Sequence, residues 1–137
     1  MKGVNIYLNF DGNTREAMTF YAECLGAELD VQTFKDVGMS GPPGSEDRAV
    51  HARLSKGSIV LMASDPPVGT AITQGDNFWI NVDCDSVDEL ERLFNALGDG
   101  GKVVMDVQDT FWRARFGMLK DKFGIGWMFN CELPKKA

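Results

Sequence analysis

The chain carries a single histidine, His51. An unperturbed imidazole titrates near neutrality, so base chemistry is open to this residue type in principle. Three roles are open to it: a structural hydrogen bond, a contact to a bound ligand, or general-base work. A base needs an orienting partner, and the sequence assigns none. Asn5, Tyr7 and Asn9 recur at every second position, which puts them on one face of a strand. Burying such groups unpaired costs about 1–3 kcal/mol each. Water, a polar ligand, or a network with Asn77, Asn81 and Asn130 would satisfy them. The run Gln108-Asp-Thr-Phe-Trp-Arg113 places an amide, a carboxylate, a hydroxyl, two aromatics and a cation within six residues. Ligand pockets combine apolar walls with a few convergent polar groups, so Gln108 and Trp112 join the candidates. The alternative for Phe111 and Trp112 is packing on the core or at a dimer contact. Arg53, Arg113 and Arg115 could pair with an anionic ligand, or face solvent as strand arginines commonly do.

Other chemistries are excluded or weakened. Cys24, Cys84 and Cys131 are odd in number, lack a CxxC and have no nearby histidine. A nucleophilic thiol needs a base or a helix N-terminus, so they read as small buried hydrophobes. No Walker loop, GxGxxG, GxSxG or HExxH is present. The formal charge of −6 argues against nucleic acid or anionic lipid as a partner. No apolar run approaches the ~20 residues needed to span a bilayer. Met1–Asn5 shows no export signal, and with reduced thiols this points to a cytoplasmic protein.

The elements that must position these residues are legible. The 137 residues, 44% apolar and 25% charged, suit one globular domain. Residues 4–10 alternate as a strand, with Val4, Ile6, Leu8 and Phe10 opposite Asn5, Tyr7 and Asn9. Asp11-Gly12-Asn13-Thr14 supplies a turn and cap candidates for a helix whose apolar stripe is Ala17, Phe20, Tyr21, Cys24 and Leu25. Gly26 ends it. Strands follow at 27–35, 49–55 and 58–63, with a Gly- and Pro-rich loop at 37–47 and a second loop at 64–76. The pattern then restarts: strand 77–83, a helix over 87–97 capped from Asp85-Ser86, then strands 102–107, 113–119 and 125–131. The order β-α-β-β-β therefore occurs twice. The expected fold is α+β, a single domain of two βαβββ modules, at about 1–64 and 77–133. Each unit alone leaves a sheet face open, which pairing would bury.

Five stretches carry a family likeness: Tyr7-Leu-Asn-Phe-Asp-Gly-Asn13, Phe20-Tyr21 with Leu25-Gly26, His51-Ala-Arg-Leu54, Gln108 to Met118, and Phe123 to Cys131. They resemble the PhnB-like branch of the vicinal oxygen chelate superfamily, which holds glyoxalase I, extradiol dioxygenases and antibiotic-resistance proteins. The resemblance implies an eight-stranded paired structure around a cleft, a homodimer, and a small-molecule ligand. It places Asn5, Tyr7 and Asn9 on the cleft side, with Asn81 as their counterpart in the second module. Pairing of modules within one chain and between two chains are both compatible with it. The methyltransferase label sometimes attached to this branch finds no Gly-rich nucleotide-binding turn here.

Metal-using members carry His, Glu or Gln ligands on the first and last strand of each module. Aligned on Phe20-Tyr21 and Phe123-Gly124, those positions fall at or near Asn5, Leu61, Asn77 or Trp79, and Met128. A register slip gives Ile6, Val60, Ile80, and Trp127 or Phe129. Neither set offers the imidazoles and carboxylates that catalytic divalent metals want. The expectation is a cleft without a metal, binding an unidentified small molecule through Asn5, Tyr7, Asn9, His51, Asn81, Gln108 and Trp112. Drug-sequestering members of the superfamily work in this way. The alternatives are a glyoxalase-type lyase or isomerase or a dioxygenase, using a non-standard metal site or His51, and an interaction module whose cleft is vestigial.

Overall fold

A computed structural model describes residues 1–134 and divides into two compact units, Met1–Thr73 and the chain from Gln74 onward. The first unit runs β1 (Ile6–Asn9), α1 (Thr14–Leu25), β2 (Glu28–Thr33), β3 (Ala49–Lys56) and β4 (Ile59–Ser64). Its sheet has the order β1-β4-β3-β2, with β1 parallel to β4 and the other pairs antiparallel. The second unit runs β5 (Ile80–Asp83), α2 (Val87–Gly98), β6 (Lys102–Asp109), β7 (Ala114–Lys120) and β8 (Gly126–Glu132). Its sheet repeats the topology as β5-β8-β7-β6. The α+β class and the doubled βαβββ order are as expected.

Strand periodicity decides what each helix covers. In the first unit Leu8, Ala52, Leu54, Leu61 and Ala63 are buried with Ala17, Met18 and Tyr21 of α1. Met18 and Ala22 take the buried places on the helix, while Phe20 is only half-buried. In the second unit Ile80, Leu119, Trp127 and Phe129 are buried with Leu90, Phe94 and Leu97 of α2. Phe94 meets Phe129 edge-on at 5.7 Å, and a Cβ at Gly117 would sit 2.8 Å from the Phe94 ring. Gly117 is therefore what lets α2 approach β7.

Two buried carboxylates organise the turns. The Asn13 side chain makes no cap on α1. Asp65, just past β4, does so instead: its Oδ1 accepts from Gly12 N, Thr14 N and Thr14 Oγ1, and its Oδ2 from Ala49 N, all at 2.7–3.1 Å. One side chain thus ties the helix N-terminus to β3. In the second unit Ser86 caps α2 as expected, accepting from Glu89 N at 3.1 Å. Asp121 accepts from Phe123 N, Ile125 N and Trp127 Nε1, which closes the β7–β8 turn.

Three boundaries differ from the sequence reading in ways that affect the site. β1 is Ile6–Asn9 rather than 4–10, so Asn5 precedes it. β5 begins at Ile80, so Asn77, Phe78 and Trp79 lie before it. β6 continues to Asp109, because Gln108 still pairs with Phe116 and Asp109 with Arg115. The expected loop from Gln108 to Arg113 shrinks to a tight hairpin tip. Thr110 N donates to Ala114 O at 2.8 Å, and Arg113 at the end of the tip is left-handed (φ 61°). A hairpin loop of three residues closes well with its last residue in that conformation. No helix among the described residues is long and apolar enough to cross a membrane.

Candidate functional site

The face of each sheet opposite its helix carries the candidate residues. In the first unit Tyr7 and Asn9 stand in register with Met62 and Ser64 of β4, one step off the buried Leu61 and Ala63. On β3, Ala52 and Leu54 face the helix, so His51 and Arg53 share the open side with Tyr7. Tyr7 reaches across β4. Its hydroxyl lies 3.1 Å from His51 Nδ1, and the two rings are 5.8 Å apart. The phenol donates when Nδ1 is bare, and Nδ1–H donates to the phenol oxygen when the ring is protonated. Asn9 Oδ1 accepts from Ser64 Oγ at 3.3 Å. Arg53 is exposed opposite Asp30 of β2, and is absent from the ion pairs among the described residues. Asn5 is exposed, outside the strand and apart from this group.

The open face of the second unit has another character. Asn81, Met128, Met118 and Met105 stand in register across the four strands. The next row holds Asp83, Asn130, Phe116 and Gln108. Asn81 Nδ2 donates to Asp83 Oδ1 at 3.3 Å. The hairpin tip brings Trp112 over this row. Its indole N–H donates to Asn130 Oδ1 at 3.3 Å, and its ring meets Phe116 edge-on at 5.6 Å and Phe111 at 4.9 Å. Phe111 is 93% exposed, so it does not cap a core within this unit. Gln108 Nε2 turns to the Asp106 carbonyl of its own strand. Arg115 is engaged elsewhere, by Asp109 at 2.7 Å and by Glu91 of α2 at 3.2 Å.

The cysteines are buried and free. Burial, reinforced by the negative charge of Glu89, pushes the Cys84 thiol up to about 12. At neutral pH it is protonated and a poor nucleophile.

The positions aligned with the family's metal ligands do not form a metal site. Leu61 is 3% exposed and lies on the helix side of its sheet, not the open one. Asn5 and Asn77 lie outside the strands, and Trp79 packs against Gly126. Met128 stands on the open face of its sheet, and the Trp79 ring lies against Gly126 on that same side. The open-face residues of the first and last strands are Tyr7, Asn9, Val60, Met62 and Ser64 in one unit, and Asn81, Asp83, Met128, Asn130 and Glu132 in the other. Asp83 and Glu132 are the carboxylates among them, and hard or borderline divalent ions need more such donors than two. Among the described residues no three His, Cys, Asp or Glu side chains are grouped to hold an ion. These residues do not fit a His/Glu metal centre.

The structure thus joins Tyr7 to His51, Asn9 to Ser64, Asn81 to Asp83, and Trp112 to Asn130 and Phe116. Gln108 stands in register with Phe116 while its amide turns to its own strand, and Asn5 lies just outside β1. Sequence reasoning missed the methionine row, because its members come from three strands whose register the sequence does not print. It also missed Asp65, whose one local signal was an acid placed between an apolar strand and Pro66-Pro67.

The comparisons with known proteins agree with this architecture. The model of the Glyoxalase/Bleomycin resistance protein/Dioxygenase superfamily matches residues 3–129. Protein YjdN of Escherichia coli is 36% identical over 136 residues, covering 90% of this chain and 91% of that protein. The crystal structure of PA1353 from Pseudomonas aeruginosa is 40% identical, with a TM-score of 0.82 over 96% of this chain and all of that one (100%). The PhnB protein of Bacillus cereus, at 24% identity, shares the fold with a TM-score of 0.79, over 95% of this chain and 99% of its own. The doubled βαβββ topology and these matches together place the chain in the glyoxalase/bleomycin resistance protein/dioxygenase superfamily.

Proposed function

We propose that this chain is a small-molecule-binding protein whose ligand face works without a bound metal ion. The observation that carries the reading is the donor chemistry of the open faces. Where metal-using members set His and Glu, the first and last strands here present Tyr7, Asn9, Val60, Met62, Ser64, Asn81, Asp83, Met128, Asn130 and Glu132, with no imidazole and only two carboxylates among them. Such a surface suits hydrogen bonding and stacking. Tyr7, Asn9 and His51 are its polar contacts in the first unit, Asn81 and Trp112 in the second. Gln108 and Asn5 flank these groups and complete the proposed ligand set. The test is elemental analysis of tag-free protein, with thermal-shift titrations of Ni²⁺, Zn²⁺, Mn²⁺ and Fe²⁺. The expected result is no stoichiometric metal and no saturable shift, followed by stabilisation in a screen of planar and polar small molecules. A metal content near one ion per chain would sink this reading in favour of glyoxalase-type or dioxygenase chemistry.

A second reading has one observation in its favour. The Tyr7–His51 contact supplies the orienting partner that a general base requires. A metal-free acid–base reaction would run through His51, and turnover of its substrate would be lost in His51→Ala. The proposal also includes a homodimer in the cytoplasm. Exposed Val103, Val104 and Met105 on the edge strand β6 support self-association, and the free, buried thiols support a reducing compartment. The net charge of −6 speaks against nucleic acid and anionic membrane as partners.

A further inference from the structure

Resting on the reading of the open faces as ligand surfaces, we propose that the first unit's face takes a compact oxyanion, a carboxylate or phosphate group, held by His51 Nε2 and the Arg53 guanidinium. Three observations converge on this pair. The Tyr7 hydroxyl occupies His51 Nδ1 at 3.1 Å, which leaves Nε2 as the nitrogen available to a ligand. When Tyr7 donates to Nδ1, the neutral ring must carry its proton on Nε2, so that nitrogen is a hydrogen-bond donor. Arg53 lies two residues further along the same side of β3, exposed, and is absent from the ion pairs among the described residues. A guanidinium is a donor-only fork matched to carboxylate and phosphate oxygens. Two donors on one strand face, His51 Nε2 and the Arg53 guanidinium, neither in a hydrogen bond or ion pair among the described residues, offer a site for an acceptor-rich group.

The titratable groups facing this pair set its selectivity. Tyr7 comes from β1, and β2 contributes Asp30 opposite Arg53 and Glu28 opposite Ser55. The two acids oppose a large or highly charged anion, while a single compact oxyanion can reach the donors. Protonation of His51 adds a positive charge, and Nδ1–H then donates to the Tyr7 oxygen, so the contact survives. A protonated ring therefore holds the oxyanion more tightly than a neutral one.

The single histidine makes the test direct, because its ring resonance needs no assignment. Tag-free protein labelled in the imidazole is titrated with acetate, benzoate and inorganic phosphate at pH 6 and pH 8, at constant ionic strength. The expected result is a saturable shift of the His51 signal with at least one probe, weakened at least tenfold in Arg53→Gln. Arg53→Lys keeps the charge without the fork and retains part of the binding. Circular dichroism verifies that both variants are folded. Comparison of carboxylates with phosphate identifies the source of the oxyanion. An unmoved histidine signal overturns the inference, and so does an equal response in Arg53→Gln, which would mean general screening only. If neutral planar compounds bind without moving His51, the binding reading stands and the oxyanion site falls. If nothing in the screen binds, both fall.

Discussion

At Cys84 burial sets the chemistry of the side chain. The thiol titrates near 9.0 in an unfolded chain and is pushed up to about 12 in the fold, mainly by desolvation. The protonated thiol is the form the fold prefers. Its contribution is complete below pH 9 and is lost as the pH rises from there towards 12. Urea unfolding of the wild type should therefore weaken by about 1 kcal/mol or less per pH unit above 9, after a discount for solvent screening. Cys84→Ala should show a shallower alkaline slope, and an equal slope would remove the thiol as its cause. Arg113 illustrates the opposite balance, a side chain placed where the backbone would prefer none. Its φ of 61° is the one left-handed non-glycine conformation among the described residues. Arg113→Gly should stabilise the protein by about 0.5–1 kcal/mol, read as a higher urea midpoint. Tyr7→Phe removes one exposed hydrogen bond, so stability should change by no more than about 0.5 kcal/mol. The tautomer balance of His51, read by nitrogen NMR, should nevertheless move, because the phenol that fixes Nδ1 is gone.

The connections between elements rest on a few buried groups. Asp65 accepts four hydrogen bonds from the start of α1 and from β3, and it is 4% exposed. Asp65→Ala leaves those donors unanswered, and each such loss costs about 1–3 kcal/mol. A total of about 3 kcal/mol or more is expected in urea unfolding. Asp65→Asn keeps one acceptor oxygen and should cost roughly half as much. Gly117 is the second such point. Its missing Cβ would stand 2.8 Å from Phe94, so Gly117→Ala must push α2 off its sheet. The expected cost is about 1–3 kcal/mol by overpacking, with altered ring signals for Phe94 and Phe129. The hairpin tip shows why boundaries matter for function. Extension of β6 to Asp109 turns an expected loose loop into a short, hydrogen-bonded tip that sets Trp112 over Phe116.

Over the whole molecule, the repeat is the governing feature. Each unit buries one sheet face under one helix and leaves the other face to solvent within that unit. The two open faces differ in kind: Tyr7, His51 and Arg53, with Asp30 and Glu28 of β2, make one polar and charged, while Met105, Met118, Met128 and the Trp112 cluster make the other apolar and soft. Unbranched methionines adapt to varied shapes, so the second face should accept several flat ligands with modest selectivity. Trp112→Ala should weaken such ligands by about tenfold, the size of one aromatic contact, measured by calorimetry. An unchanged affinity would remove Trp112 from the ligand set. The proposed homodimer should sediment at twice the 15.1 kDa chain mass, and Met105→Lys on the exposed edge should shift it towards monomer.

By itself the sequence determined the order and type of every element, because alternation with period two and stripes with period near 3.6 are local properties of the chain. It determined that Tyr7 and Asn9 share a face and that Gly26 ends α1. Only the tertiary structure decided which distant residues meet. Tyr7 and His51 are 44 positions apart, and Thr14 and Asp65 are 51 apart. Such pairs depend on strand order and register, which follow from packing of the whole sheet. The same reason removed Leu61 from the open face: one step of register reverses the side to which a strand residue points.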